Sequence, residues 1–110
     1  MNVEIVAGYV PGALGRIVEL HGAYYWRHAG FGLYFESKVA CELSEFLRRM
    51  DSARDGIWLA LCEGHVEGAI VIDGAKAESE GAHLRWFIVS DAMRGLGLGG
   101  KLIAAALDHC

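Results

Sequence analysis

The chain has 110 residues, enough for one domain that buries about 65% of its unfolded surface. Its hydrophobic content of 54% with 22% charged residues excludes a disordered polymer, and a net charge of −4 excludes a general nucleic-acid footprint.

The first predicted element is a strand in which Val3, Ile5, Ala7 and Tyr9 alternate with Asn2, Glu4, Val6 and Gly8. Pro11-Gly12 breaks it, and a helix begins near Ala13 with Leu14, Ile17, Val18, His21 and Tyr25 on one face. Gly30 and Gly32 end or bend that helix. A second helix follows from about Tyr34, with Phe35, Val39, Leu43, Phe46, Leu47 and Met50 inward and Glu36, Lys38, Glu45 and Arg48 outward. Asp51 to Gly56 is a polar connection. Ile57 to Cys62 and Val66 to Ile72 read as strands joined by the turn Glu63-Gly64-His65, a hairpin. Gly74 to Gly81, with Lys76, Glu78 and Glu80, is expected to be a solvated loop. Leu84 to Val89 is a further strand, apolar on both faces and so suited to the middle of a sheet. After Ser90-Asp91 and a glycine-rich segment, Leu98, Leu102, Ile103, Ala106 and Leu107 recur at helical spacing. No repeat, low-complexity tract or linker divides residues 1–110, so a single α/β domain is expected.

The last strand, glycine loop and helix carry the chemistry. A glycine-rich loop that enters a helix leaves backbone N–H groups unpaired at the positive end of the helix dipole, which makes an anion site, usually for phosphate. Three patterns overlap in it. Gly95, Gly97 and Gly100 satisfy the dinucleotide spacing G-x-G-x-x-G, but no second strand with an acidic residue ~20 positions on follows. Gly95 to Lys101 fits a mononucleotide loop up to its last position, where Leu102 replaces the Ser or Thr that holds magnesium. The third pattern is Arg or Gln, two residues, Gly, one residue, Gly or Ala, which Arg94, Gly97 and Gly99 fit, with the strand ending at Val89 five residues earlier.

This third segment resembles the acyl-coenzyme A motif of the GNAT family of N-acetyltransferases. The order strand, two helices, three strands, helix resembles the start of that fold, so the likeness covers the whole chain. More narrowly, Ile17-Val18-Glu19-Leu20-His21-Gly22-Ala23-Tyr24-Tyr25 and His83-Leu84-Arg85-Trp86-Phe87-Ile88-Val89 are similar to the acetyltransferase half of MarR-type regulator fusions. No winged-helix half lies within these residues. The resemblance implies a GNAT-like mixed, mostly antiparallel sheet that stops before the family's fifth strand. It also implies acetyl transfer from acetyl-coenzyme A to an amine. In the family the part from the fifth strand onward forms the other wall of the acyl-pantetheine slot. Its absence from residues 1–110 leaves a rival reading, a non-catalytic half-domain that binds coenzyme A or only oligomerises. A nucleotide-binding fragment is the weaker third.

The resemblance also assigns residues. The N–H groups of Gly95, Leu96, Gly97, Leu98, Gly99, Gly100 and Lys101 would hold the pyrophosphate, with Arg94 opening the motif or tying down the loop. The backbone of Ile88 and Val89 would run beside the pantetheine, and the Phe87 N–H would polarise the thioester carbonyl. His83 stands where many relatives place a catalytic carboxylate, four residues before that carbonyl-polarising position, and imidazole titrates near neutrality. Its plainer reading is a surface histidine at a strand end. Tyr24, Tyr25, Trp26, His28, Phe31, Tyr34 and Phe35 cluster at the corner between the first two helices. Tyr25 and Phe31 there are the expected acceptor-binding residues, although aromatic residues at a corner also serve simply as core.

Five histidines without a close His/Cys/Asp set give no expected metal site. Three scattered cysteines, Cys41, Cys62 and Cys110, suit a reducing compartment. With no basic leader and no membrane-length apolar run, the expected location is the cytoplasm. If the sheet does stop after Leu84 to Val89, that strand has an open edge, and a homodimer that covers it is expected, paired strand to strand or through the terminal helices.

Overall fold

Alternation in the two central strands sets the architecture. Ile57 and Leu59 face one way while Trp58, Ala60 and Cys62 face the other, and nearly all are buried, so both sides of the sheet must be covered. The computed structural model, which describes residues 2–109, shows what covers them. The elements are β1 (Val3–Ala7), α1 (Ala13–Ala29), α2 (Leu33–Arg49), β2 (Gly56–Cys62), β3 (His65–Asp73), α3 (Ala77–Glu80) and β4 (His83–Val89). A 3₁₀ turn at Asp91–Met93 then leads to α4 (Leu98–His109). The sheet has four strands in the order β1-β2-β3-β4, and every neighbouring pair is antiparallel.

Helices α1 and α2 cover one face, where Ala13, Ile17, Leu43 and Phe46 pack on Ile57, Leu59, Val66, Ala69 and Val71. Helix α4 covers the other, with Leu98, Leu102 and Ala106 against Trp58, Ala60, Cys62, Ile70 and Ile72. The hairpin turn has positive φ at both Glu63 (50°) and Gly64 (82°), the I′ geometry whose twist suits a tight hairpin. Helix α1 stops at Gly30, whose N–H bonds to the Trp26 carbonyl at 3.1 Å.

Two expectations are refined. Gly74 to Gly81 contains the one-turn α3 rather than loop alone. Strand β4 lies at the outside of the four-stranded sheet, where Leu84 and Phe87 are exposed. The α1 stripe is also rotated from the expected face. Leu20 is buried while Leu14, Val18 and Tyr25 are only partly so, because α1 meets the sheet on one side and α2 on the other. Cys110 lies outside the described residues.

Two buried titratable groups make this fold acid-sensitive. Asp73 ends β3. Burial pushes its carboxyl up, but hydrogen bonds from the Ala75 N–H, Arg49 and Arg85, together with the charge of Arg49, outweigh that and lower it. The contacts are 3.1 Å from the Ala75 N–H, 2.9 Å from Arg49 and 3.2 Å from Arg85. Burial pushes the His21 imidazole down, against a 2.8 Å hydrogen bond between Nδ1 and the Ile17 carbonyl. Both folded values lie below the unfolded ones, so both contributions are complete above the unfolded pKa and are lost as pH falls. Urea midpoints should therefore decline first below about pH 6.5 from His21, and again below about pH 4 from Asp73. The first decline should vanish in His21→Gln, and a flat profile between these two values in the wild type would refute the role given to His21.

Candidate active site

The site is built along β4. Ala69 pairs with Ile88 and Val71 with Arg85, so Trp86 and Phe87 together oppose Ile70. This is a bulge, and Trp86 takes φ 46°, a conformation that a bulky residue adopts only when its surroundings enforce it. On the helix side, the Trp86 ring packs 5.5 Å from Phe46 and carries the Arg85 guanidinium 4.0 Å above it. Phe87 is turned the other way, towards α4, with its ring end 3.3 Å from where a Cβ on Gly99 would stand. The bulge thus interrupts the ladder at Phe87, the position whose N–H the resemblance singles out. Beyond it Ile88 is buried and Val89 half-buried.

The chain leaves the sheet at Ser90, whose N–H bonds to the Glu67 carbonyl at 2.7 Å. Its buried Oγ has no hydrogen-bond partner among the described residues, which leaves an unsatisfied polar atom at the base of the loop. Met93 is buried and anchors the 3₁₀ turn to the α4 side of the core. Gly97 has φ 81° and precedes α4. Its carbonyl accepts the Lys101 N–H at 3.2 Å, so the N–H groups of Leu98, Gly99 and Gly100 lie ahead of that first helical bond.

Gly100 leaves the backbone of the loop open to close approach. It lies within the first turn of α4, where Ala would be favoured by roughly 0.5–1 kcal/mol. A Cβ there would meet nothing within 4 Å, and its φ is not positive. Packing does not require glycine at this place, and without a side chain the backbone there stays uncovered. The exposed Lys101 adds positive charge beside it. The Leu98 side chain is in the core, so only its N–H is available, while the Leu96 side chain is exposed.

Arg94 is committed to the loop itself. Its Nε donates to Asp91 Oδ1 at 3.1 Å and its Nη2 to the Val89 carbonyl at 2.8 Å, while its guanidinium lies 4.8 Å from the Tyr24 ring. Asp91 Oδ2 also forms an ion pair with Arg27 from α1. Sequence alone raises no expectation of Arg27 or Asp91 at the site, and it places Tyr24 only in the aromatic corner and not against the loop. The spacing of Asp91 and Arg94, three residues apart, was the available signal for their pairing.

His83 stands at the other end of β4 from the loop, half-exposed, with Nε2 3.5 Å from Glu80 Oε1. Tyr25 and Phe31 do come together: their rings lie 6.1 Å apart and nearly parallel, and both touch Phe35, at 4.9 and 5.4 Å. Phe31, Tyr34, Phe35 and Lys38 line a cleft of about 440 Å³. Tyr24 joins this aromatic group to the loop, with its ring 5.0 Å from that of Tyr25.

The profile of the acetyltransferase (GNAT) family matches residues 20–110. No curated protein sequence matches the chain. Among solved structures, a GNAT-family acetyltransferase from Staphylococcus aureus superposes with a TM-score of 0.78 at 15% identity, over 99% of this chain and 66% of that one. An acetyltransferase from Streptococcus agalactiae gives 0.71 at 21% identity, covering 97% and 65%. A protein of Desulfovibrio desulfuricans assigned to the same family gives 0.72 at 16% identity, covering 97% and 64%. At these identities the likeness is one of fold, and the chain spans about two thirds of the length of these proteins.

Proposed function

The chain belongs to the GNAT family of acetyltransferases, and from that premise we propose that it acts in transfer of an acetyl group from acetyl-coenzyme A to an amine. The observation that carries this reading is the bulged strand β4 leading directly into a glycine loop at a helix N-terminus. Bound acetyl-coenzyme A would supply the activated acetyl group. The N–H groups from Gly95 to Lys101 would hold its pyrophosphate, with Arg94 fixing the loop. The backbone of Ile88 and Val89 would lie along the pantetheine. The Phe87 N–H, freed from regular pairing by the bulge, would donate to the thioester oxygen as negative charge develops there. Tyr25 and Phe31 would bound the acceptor site, with the amine as the unidentified partner.

His83 would take the proton that the attacking amine must lose, directly or through water. The rate should rise with pH as the amine deprotonates. His83→Ala should lower the rate at saturating amine by roughly 100-fold, the lower range for a general base. Acetyl transfer measured from about pH 6 to 9 tests this, and a wild-type rate throughout would make His83 structural.

We place the protein in the cytoplasm, a reading supported by the free thiols of Cys41 and Cys62. Among the described residues no helix is long and apolar enough to cross a membrane. A homodimer is proposed from two exposed apolar features, the outer strand β4 with Leu84 and the α4 residue Leu107. Light scattering at micromolar concentration should give twice the chain mass, and a stable monomer would remove this proposal.

A further inference from the structure

The last turns of α1 reach the entrance of the glycine loop. There Asp91 is shared: Oδ1 accepts from Arg94 Nε at 3.1 Å, and Oδ2 pairs with Arg27. Asp91 is also the first residue of the 3₁₀ turn that feeds the loop. Arg94, which holds it, also bonds the Val89 carbonyl at 2.8 Å, and the Val89 side chain lies 4.0 Å from where a Cβ on Gly99 would stand. This puts the Asp91 carboxylate on the same side of the fold as the N–H groups beyond Gly95. With Arg94 alone, the two charges would cancel. Two guanidiniums against one carboxylate leave one net positive charge beside the loop.

Resting on the coenzyme A reading above, we infer that Arg27 is a positioning residue for the bound pyrophosphate: it offsets the Asp91 charge and pins the 3₁₀ turn to α1. A purely structural ion pair is the competing role. Both side chains are well exposed, 54% for Arg27 and 39% for Asp91, and pairs of that kind add little to fold stability. An effect on anion binding is therefore separable from an effect on folding. The link has a second strand in Tyr24, one helical turn before Arg27, whose ring supports the Arg94 guanidinium.

The test is calorimetric titration of coenzyme A into the wild-type protein, Arg27→Gln, Arg27→Lys and the double variant Arg27→Gln with Asp91→Asn. Arg27→Gln should weaken binding roughly tenfold at low salt, the scale of one uncompensated unit charge near the anion. The deficit should shrink as salt rises. Arg27→Lys, which keeps the charge, should stay within about threefold of wild type. The double variant should recover most of the loss, since the uncompensated carboxylate has gone. All variants should melt as the wild type does. Wild-type affinity in Arg27→Gln would overturn the inference, as would a double variant no better than Arg27→Gln. Absence of coenzyme A binding by the wild type would instead overturn the functional reading, and this inference with it.

Discussion

Gly97→Asp should abolish coenzyme A binding while leaving the fold intact. Gly97 has φ 81°, and Asp is among the few side-chain-bearing residues that visit this region, at a cost of about 1–2 kcal/mol. A Cβ at Gly97 would meet no atom within 4 Å, so no clash adds to that cost. The new carboxylate would stand at the N–H groups of Leu98, Gly99 and Gly100, where the pyrophosphate must sit. Losing two hydrogen bonds to a charged group, at about 1.5–3 kcal/mol each, weakens binding by at least 100-fold. Gly97→Asn carries the same backbone strain without the charge and should lose much less. Titration of all three proteins, with circular dichroism as the check on folding, decides it. Unchanged affinity in Gly97→Asp would remove the loop from the site.

Phe46→Ala should have the largest effect on stability. Phe46 is 1% exposed, lies 5.5 Å from the Trp86 ring, and carries the Arg49 guanidinium at 5.0 Å. Removing a buried ring costs about 3–5 kcal/mol, a large share of the roughly 5–15 kcal/mol that holds a domain folded. The cavity would open directly beneath the bulge, where Trp86 is kept in a left-handed backbone conformation by what packs on it. The urea midpoint should fall sharply, and coenzyme A affinity should fall with it, though less than in Gly97→Asp. Phe46→Leu, which fills most of the space, should recover the greater part of both. A midpoint near wild type in Phe46→Ala would show that the site beneath Trp86 collapses without cost.

The glycine loop was legible because its chemistry is local: glycines, a helix start and an apolar strand are consecutive in the chain. The hairpin at Glu63-Gly64 was legible for the same reason. The bulge was not. Nothing in Trp86 favours positive φ, and its conformation arises from the register that β4 adopts against Ile70. Leu20 lies off the face that helical periodicity gives for α1, because α1 packs on both the sheet and α2. The junction of Arg27, Asp91, Arg94 and Tyr24 joins residues far apart in sequence, and neither charge nor spacing in α1 announces it. Asp73 reads as a turn residue after an apolar strand, yet the fold makes it the meeting point of Arg49 from α2 and Arg85 from β4.

On the proposed function this loop holds the diphosphate of coenzyme A in preference to the phosphates of ATP or NAD. Side-by-side calorimetric titration with acetyl-coenzyme A, ATP and NAD tests it most directly. The account predicts saturable binding of acetyl-coenzyme A at one site per chain, with ATP and NAD weaker by at least roughly tenfold, since neither offers an extended arm to pair along β4. ATP or NAD binding as tightly as acetyl-coenzyme A, or acetyl-coenzyme A not binding at all, would contradict it.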